Sequence, residues 1–398
     1  MKMARQHFGS KIYDIFPVSY TVPTDIVQLE QEQALYNHTM YILKIAAKDR
    51  GEGIKVISGP KDLKPTDTGI VQSYVQHPYL LNGYKFTMRV YVVYTSLAPL
   101  RLYIYPEGFV HMATDKYNPD PKYINERYMH LTNPDISKQR PFYKKNPRPF
   151  YWNFKELKDY IRKNGVNNVV HGDDDVRLWK KIQTLVQKTV LSAEHLLSKY
   201  AQKIVPHPTS NCFELLGLDV LVDDQLKPWL IEVNPDPDMS AHAGFALAYE
   251  TKGFMLTDLM GMLGLQQSRD KTVAAFGTKK YNQERETLAT LLLNISTKKE
   301  KSDPVAIQNS KYLKGFHNTG CNLKLATMAC GVKSMEVALL IADSEMEYVR
   351  QGQWQRLIPS IESDDYSKWF YTFGDPDAVL ACWEHQINLC TKIDRSRK

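Results

Sequence analysis

Three oxygen-bearing side chains stand close together in the second half of the chain: Asp219 within Leu-Gly-Leu-Asp-Val-Leu-Val, then Glu232 and Asn234 within Trp-Leu-Ile-Glu-Val-Asn. Alternate residues of a strand share a face, so Glu232 and Asn234 project together. Asp219 joins them if the two segments form a hairpin with an even-numbered loop. Two carboxylates and an amide on one face suit a hard cation such as Mg²⁺, whose octahedron phosphate oxygens and water complete. Alternation on a half-exposed strand would also turn polar residues outward. Flanking runs this apolar, however, belong to buried strands, where charges need partners or a metal.

Lys44, followed by Arg50-Gly51-Glu52-Gly53, is a second candidate. A lysine ending a strand before a glycine-containing loop suits a polyphosphate, since glycines let backbone N–H groups approach oxygens. It is neither the Walker loop nor the Rossmann fingerprint, and a lone Gly-x-Gly is usually a turn. Arg89, in Lys85-Phe86-Thr87-Met88-Arg89, and Arg101 lie in adjacent β-rich stretches. Facing inward they would form a fork for a carboxylate or phosphate; facing outward they would be solvated edge arginines. His130-Leu131-Thr132-Asn133 with Lys138 makes a polar knot, a composition that turn chemistry also explains.

The elements that must position these groups are legible as pattern. Strands are expected at 41–44, 54–57, 70–75, 86–95 and 100–105, with turn signals at Asn82-Gly83 and Ala98-Pro99, hence an antiparallel sheet. Thr24 or Asp25 caps a short helix, and 114–175 is polar and irregular. The clearest helix spans 177–203, on Leu178, Ile182, Leu185, Val186, Ala193, Leu196, Leu197 and Tyr200. Strands at 213–222 and 228–233 and a helix at 254–263 follow. Residues 266–335 read as a polar surface segment with a helix near 284–294, and 335–393 as two helices around a Trp/Phe-rich loop.

With 398 residues, 43% hydrophobic and 24% charged, the chain is long enough for large cores and too apolar to be disordered over most of its length. No window approaches the roughly 18 apolar residues of a membrane span. The five cysteines are odd in number, far apart and without a Cys-x-x-Cys pair, which disfavours a disulfide framework or zinc site and points to a reducing compartment. The formal charge of +7 favours an acidic partner.

Taken in order, Ile42-Leu43-Lys44…Arg50-Gly51-Glu52-Gly53-Ile54, Val71-Gln72-Ser73-Tyr74, Gly83-Tyr84-Lys85-Phe86-Thr87-Met88-Arg89, Leu100-Arg101-Leu102-Tyr103-Ile104-Tyr105-Pro106-Glu107-Gly108, His130-Leu131-Thr132-Asn133 and Phe213 through Asp219 to Asn234 resemble the tubulin-tyrosine ligase-like family. The likeness covers about residues 8–265, and 351–359 resembles a tail element of its polyglutamylase branch. The resemblance implies an α+β chain with an ATP-grasp fold, antiparallel sheets with flanking helices and a helical C-terminal extension. Residues 1–40 would be a remnant of an amino-terminal subdomain and linker, 41–265 the ligase core, 266–334 a basic polar linker and 335–398 a helical tail. It also implies ATP, Mg²⁺ and activation of an acceptor carboxylate as an acyl phosphate, which the amine of an added amino acid attacks.

By that likeness Lys44, Arg50, Gly51, Glu52, Gly53, Ile54, Lys85 and Lys138 serve the nucleotide, with Gln72 and Tyr74 beside the adenine. Asp219, Glu232 and Asn234 would hold Mg²⁺, and Arg89, Arg101, His130 and Asn133 would act at the reacting end. The chain departs from the family pattern at Thr87, where an aspartate is usual, and at His111, where an arginine is usual. The implied partners are tubulin or microtubules through their acidic C-terminal tails and free glutamate, with neither nucleic acid nor membrane, in a monomer. The expected location is the cytoplasm and cytoskeleton, with cilium or basal body as a narrower address. Residues 136–165 hold nine basic residues against two acidic ones, a track for an acidic peptide that carries the whole excess charge. The alternatives are a glycylase, or a relative that binds ATP or microtubules without ligating.

Overall fold

The computed structural model describes the chain apart from residues 37–39, 47–50, 167–168, 205–212, 241–245, 266–270, 298–309, 311–312, 314–322, 361–364, 371–374 and 396–398. Its strands are β1 (Ser19–Val22), β2 (Tyr41–Ile45), β3 (Ile54–Ile57), β4 (Gly69–Ser73), β5 (Leu80–Leu81), β6 (Tyr84–Leu97), β7 (Leu100–Met112), β8 (Tyr151–Asn153), β9 (Glu214–Val222), β10 (Pro228–Asn234) and β11 (Gln355–Ile358). The helices are α1 (Lys2–Phe8), α2 (Ile26–Tyr36), three short turns α3 (Arg127–His130), α4 (Pro134–Ser137) and α5 (Pro141–Lys145), then α6 (Phe154–Asn164), α7 (Asp174–Ile204), α8 (Ala246–Met262), α9 (Lys271–Thr297), α10 (Leu323–Ala329), α11 (Met335–Arg350) and α12 (Asp375–Arg395). Among the described residues they build a four-stranded sheet, β1-β4-β2-β3, and a larger one whose main path is β10-β9-β6-β7-β11. The chain is thus mixed α and β with antiparallel pairing.

The larger sheet is covered on both faces, which is why its strands read as apolar runs. Leu178, Ile182, Leu185, Val186 and Val190 recur at helical spacing along α7 and pack with Val90, Val92, Leu218 and Val220. On the opposite face Met255, Leu259 and Met262 of α8 meet Tyr91, Val93, Tyr103, Tyr105 and Trp354. Each such fully buried aliphatic side chain contributes about 1.5–3 kcal/mol. At its start α7 places Asp174 and Asp175 at the positive end of its dipole, and Arg162 of α6 pairs with Asp175 at 2.5 Å.

The carboxy-terminal region departs from the sequence reading in three ways. The segment expected to lie on the surface contains α9, whose Leu288, Ala289, Leu292 and Ile295 are buried against α10, α11 and α12. The presumed loop between the last helices contains β11, which pairs with β7 and extends the large sheet. Cys330 and Cys382, 52 residues apart, form a disulfide with Cα atoms 5.6 Å apart, because the α10–α11 turn folds onto α12. Sequence spacing alone carries no information about that approach.

The same packing overturns the expectation for Arg101. In the β6–β7 register Arg89 opposes Phe109 while Arg101 opposes Ser96, seven residues further along β6, or roughly 23 Å at strand rise. Arg101 is 1% exposed and its Nε donates to Glu347 Oε2 of α11 at 3.0 Å. Thr95 and Tyr103 donate to the same oxygen at 2.7 and 3.1 Å. This arginine holds a helix onto the sheet and does not reach the cleft. Arg101→Met would leave Glu347 buried without its cation, which costs about 3–5 kcal/mol. Urea unfolding should show that loss while the folded protein keeps its nucleotide affinity; weakened nucleotide binding at unchanged stability would return Arg101 to the site.

Candidate active site

The site grows from one irregularity in β10. Pro228, Trp229 and Leu230 oppose Val222, Leu221 and Val220, but after a one-residue shift Glu232 opposes Asp219 and Asn234 opposes Gly217. The loop between the strands is Asp223 to Lys227, five residues, so the even-numbered loop that would bring Asp219 onto the face of Glu232 is not what does so. The bulge at Ile231 supplies the missing step: without it Asp219 would face Ile231. Next door, Arg89 on β6 opposes Asp219 on β9, so Arg89, Asp219 and Glu232 form one rank across three strands. Arg89 grips Asp219 in a fork, Nε to Oδ1 at 2.5 Å and Nη2 to Oδ2 at 3.1 Å. Gly217 gives this arm room, since a Cβ there would lie 3.0 Å from Arg89 Cδ.

The bulge also ties the two sheets together. Lys44, at the end of β2 in the smaller sheet, donates from Nζ to the Ile231 carbonyl at 2.9 Å. Burial pulls the Lys44 pKa down, against Glu232 and Asp219, which support its charge. The β2–β3 turn that follows packs its Gly51 on α4: φ is +79° and a Cβ would meet Ile136 Cδ1 at 2.5 Å. Glu52 and Gly53 of this turn are exposed, and Arg50 lies outside the described residues.

Two adjoining chambers open between the sheets, of about 120 and 630 Å³. Ile54, Arg89, His111, Asn133, Asp219 and Glu232 line both. Lys44, Gln72, Tyr74, Lys85, Thr87 and His130 line the smaller one, and Lys138 and Asn234 only the larger. Gln72 is buried and donates from Nε2 to Ser19 Oγ at 3.0 Å. Lys85 Nζ donates to Tyr74 Oη at 2.8 Å and lies 4.2 Å from the centre of that ring. His130 meets Tyr74 Oη through Nδ1 at 2.8 Å and the Tyr123 carbonyl through Nε2 at 3.0 Å. A carbonyl only accepts, so Nε2 carries the proton and Nδ1 accepts from Tyr74. His130 therefore orients the wall through Tyr74, and burial holds its pKa down. Asn133 caps α4, its side chain accepting from the Asp135 N–H at 2.8 Å, and Lys138 Nζ bonds Asp135 at 2.7 Å.

Thr87 and His111, the two departures from the family pattern, oppose each other across β6–β7. Thr87 hydrogen-bonds Thr132 through its hydroxyl at 2.8 Å. His111 stacks on Tyr151, ring centroids 5.1 Å apart, beside Phe109 at 6.4 Å. Burial, then Arg89, Lys252 and Lys138, push its pKa down to about 3, so it is neutral at physiological pH.

The carboxylates suit a magnesium ion. Asp219 and Glu232 face the same space, and the Glu232 pKa is raised by burial and by Asp219, a repulsion that a cation between them would relieve. Among the described residues no group of three His, Cys, Asp or Glu side chains gathers to hold a metal alone. Two carboxylates and the Asn234 amide leave the remaining positions of an octahedron to phosphate and water. Asn234 Nδ2 donates to the Gly217 carbonyl at 3.3 Å, which turns its oxygen outward.

The basic segment is less positive in space than in sequence. Lys138 meets Asp135, Arg140 meets Asp115, Arg148 meets Glu156, Lys155 meets Asp159 and Arg162 meets Asp175. Asp115, Asp135 and Asp175 come from outside the window, so the excess charge is smaller there than the count of 136–165 implies. Lys144 and Lys145 of α5 are exposed, next to Tyr143, which lines the larger chamber.

Burial, with a smaller push from Lys44, lowers Lys85 to about 7. Its folded value lies below the unfolded one, so below about pH 7 the buried charge costs stability, and that cost fades as pH rises toward the unfolded value. A bound polyanion reverses the preference by favouring the protonated amine. Affinity for a non-hydrolysable ATP analogue should therefore fall several-fold between about pH 6 and about pH 9. Lys85→Met should flatten that slope; an unchanged slope would exclude Lys85 as its source.

The profile described as the tubulin-tyrosine ligase family matches residues 1–267. The chain is 30% identical over 391 residues to the human tubulin monoglutamylase TTLL4, an alignment covering 96% of this chain and 31% of that protein. It is 33% identical over 262 residues to the Caenorhabditis briggsae tubulin polyglutamylase ttll-4, covering 65% of this chain and 42% of the relative. For the mouse tubulin polyglutamylase TTLL5 the figures are 32% over 269 residues, with 66% and 19% covered. The chain thus spans well under half the length of these relatives.

Proposed function

The chain belongs to the tubulin-tyrosine ligase family, and from that premise we propose that it is an ATP-dependent ligase adding glutamate to glutamate side chains of acidic tubulin tails, on an ATP-grasp fold. The observation that carries this reading is the rank Arg89–Asp219–Glu232 facing Lys44 across a cleft between two sheets. In the reaction an acceptor carboxylate oxygen attacks the γ-phosphorus of ATP, ADP departs and an acyl phosphate forms. The glutamate amine then attacks the acyl carbon, losing a proton, and inorganic phosphate departs. Such chemistry needs positioning and charge neutralisation more than a strong base, in keeping with cations outnumbering candidate bases in the cleft.

Lys44 and Lys85, with the N–H groups of the 51–54 turn, would hold the phosphates, and Gln72 and Tyr74 would lie beside the base. Asp219, Glu232 and Asn234 would hold Mg²⁺, which when bound offsets phosphate charge. Arg89, locked by Asp219, is a rigid cation where both chambers meet, suited to the transferring phosphoryl oxygens. Neutral His111 keeps this end free of an added proton. Exposed Lys144 and Lys145 lie where an acidic tail would enter.

The test incubates the protein with tubulin, ATP, Mg²⁺ and labelled glutamate. Incorporation into tubulin is expected, and Glu232→Gln should lower it at least about 100-fold with folding intact. A folded preparation that binds ATP but transfers nothing to tubulin would overturn the reading. Wild-type rates in the variant would remove Glu232 from the metal site.

A further inference from the structure

Lys252 of α8 falls outside every motif noted in the sequence, yet it lines the larger chamber. The stripe by which α8 packs on the sheet runs through Ala248, Met255, Leu259 and Met262, and Lys252 stands on that apolar stripe, 9% exposed. A lysine there needs a reason, because burying an ammonium without an anion is costly. Its Nζ donates to the Ser240 carbonyl at 3.0 Å, which uses one of three donors, and lies 5.9 Å from the centre of the Phe109 ring. Asp238 supports its charge while burial and Arg89 oppose it.

The chamber is graded along its length. Arg89, Asp219 and Glu232 stand at the end it shares with the smaller chamber, where the reacting groups meet. Lys252, Ser240 and Ala248 line only the larger chamber. Phe109 and Tyr151, which line only the larger chamber, and His111, which lines both, form a wall of near-parallel rings leading from the shared end, with interplanar angles of 13° and 28° to His111. An amino acid whose amine reaches the shared end would lay its methylenes along these rings and present its far group to Lys252. His111 in the wall carries no charge to compete, and it lies within electrostatic reach of Arg89, Lys252 and Lys138 together.

We propose that Lys252 receives the side-chain carboxylate of the incoming amino acid and so selects an acidic amino acid over glycine or a neutral one of the same shape. The inference rests on the ligase reading, and deepens it by assigning the residue that distinguishes co-substrates. A site that hydrogen-bonds a charged group rejects analogues lacking it more strongly than an apolar pocket rejects a missing methylene.

The competing role for Lys252 is a staple between α8 and the 235–240 loop, and the experiment separates the two. Equilibrium binding of glutamate, glutamine and glycine is measured in the presence of Mg²⁺ and a non-hydrolysable ATP analogue. Wild type should prefer glutamate to glutamine by at least about tenfold, and Lys252→Met should erase that preference while leaving glutamine and nucleotide affinity within about twofold. Lys252→Arg should restore part of it. A Lys252→Met protein that binds glutamate like wild type, or that loses glutamate and glutamine equally, overturns the proposal. A wild type that binds nucleotide but no amino acid overturns the ligase reading as well, whereas a wild type that ligates yet shows no preference for glutamate over glutamine overturns only the assignment of Lys252.

Discussion

One extra residue in β10 organises the cleft. The bulge at Ile231 moves the second half of the strand by one position, which brings Glu232 opposite Asp219 and turns a carbonyl toward Lys44. A charge-assisted hydrogen bond thereby joins the two sheets at the point where two carboxylates and an arginine line up. Like charges facing each other across strands destabilise a sheet, and Arg89 offsets part of that by clamping Asp219. What remains is a site short of positive charge at Glu232, held by a rigid framework.

That framework is rigid because the large sheet is buried on both faces and its far edge is closed by β11. The tail reaches the sheet through Arg101 and Glu347, and through Arg356 and Glu384, each pair about 2% exposed or less. Ion pairs so buried are a poor source of net stability, but each fixes which residues meet, and here they fix where α11 and α12 sit. Arg89 and Arg101 thus share one face of one hairpin and serve opposite ends of it: one the cleft, the other the tail.

Periodicity made much of this legible. Period two put Glu232 and Asn234 on one face, and the three- and four-residue steps from Leu178 onward located α7. The placement of Asp219 was not readable, because a bulge leaves no sign in composition and a loop count of five argues the wrong way. The place of Arg101 is not legible in the same way, because adjacency of strands says nothing about register. The disulfide and the buried face of α9 depend on long-range packing of helices whose own patterns are ambiguous. Lys252 did leave a signal: a lysine on the apolar stripe of a helix, which local propensity alone does not explain.

In the proposed ligase Asp219 and Glu232 act as one unit across the β9–β10 register. Mg²⁺-dependent binding of a non-hydrolysable ATP analogue, measured for wild type, Asp219→Asn, Glu232→Gln and the double variant, tests it most directly. Either single change should remove most of the magnesium dependence, and the double variant should lose little more. Independent, additive losses, or a magnesium dependence that survives both substitutions, would contradict the account.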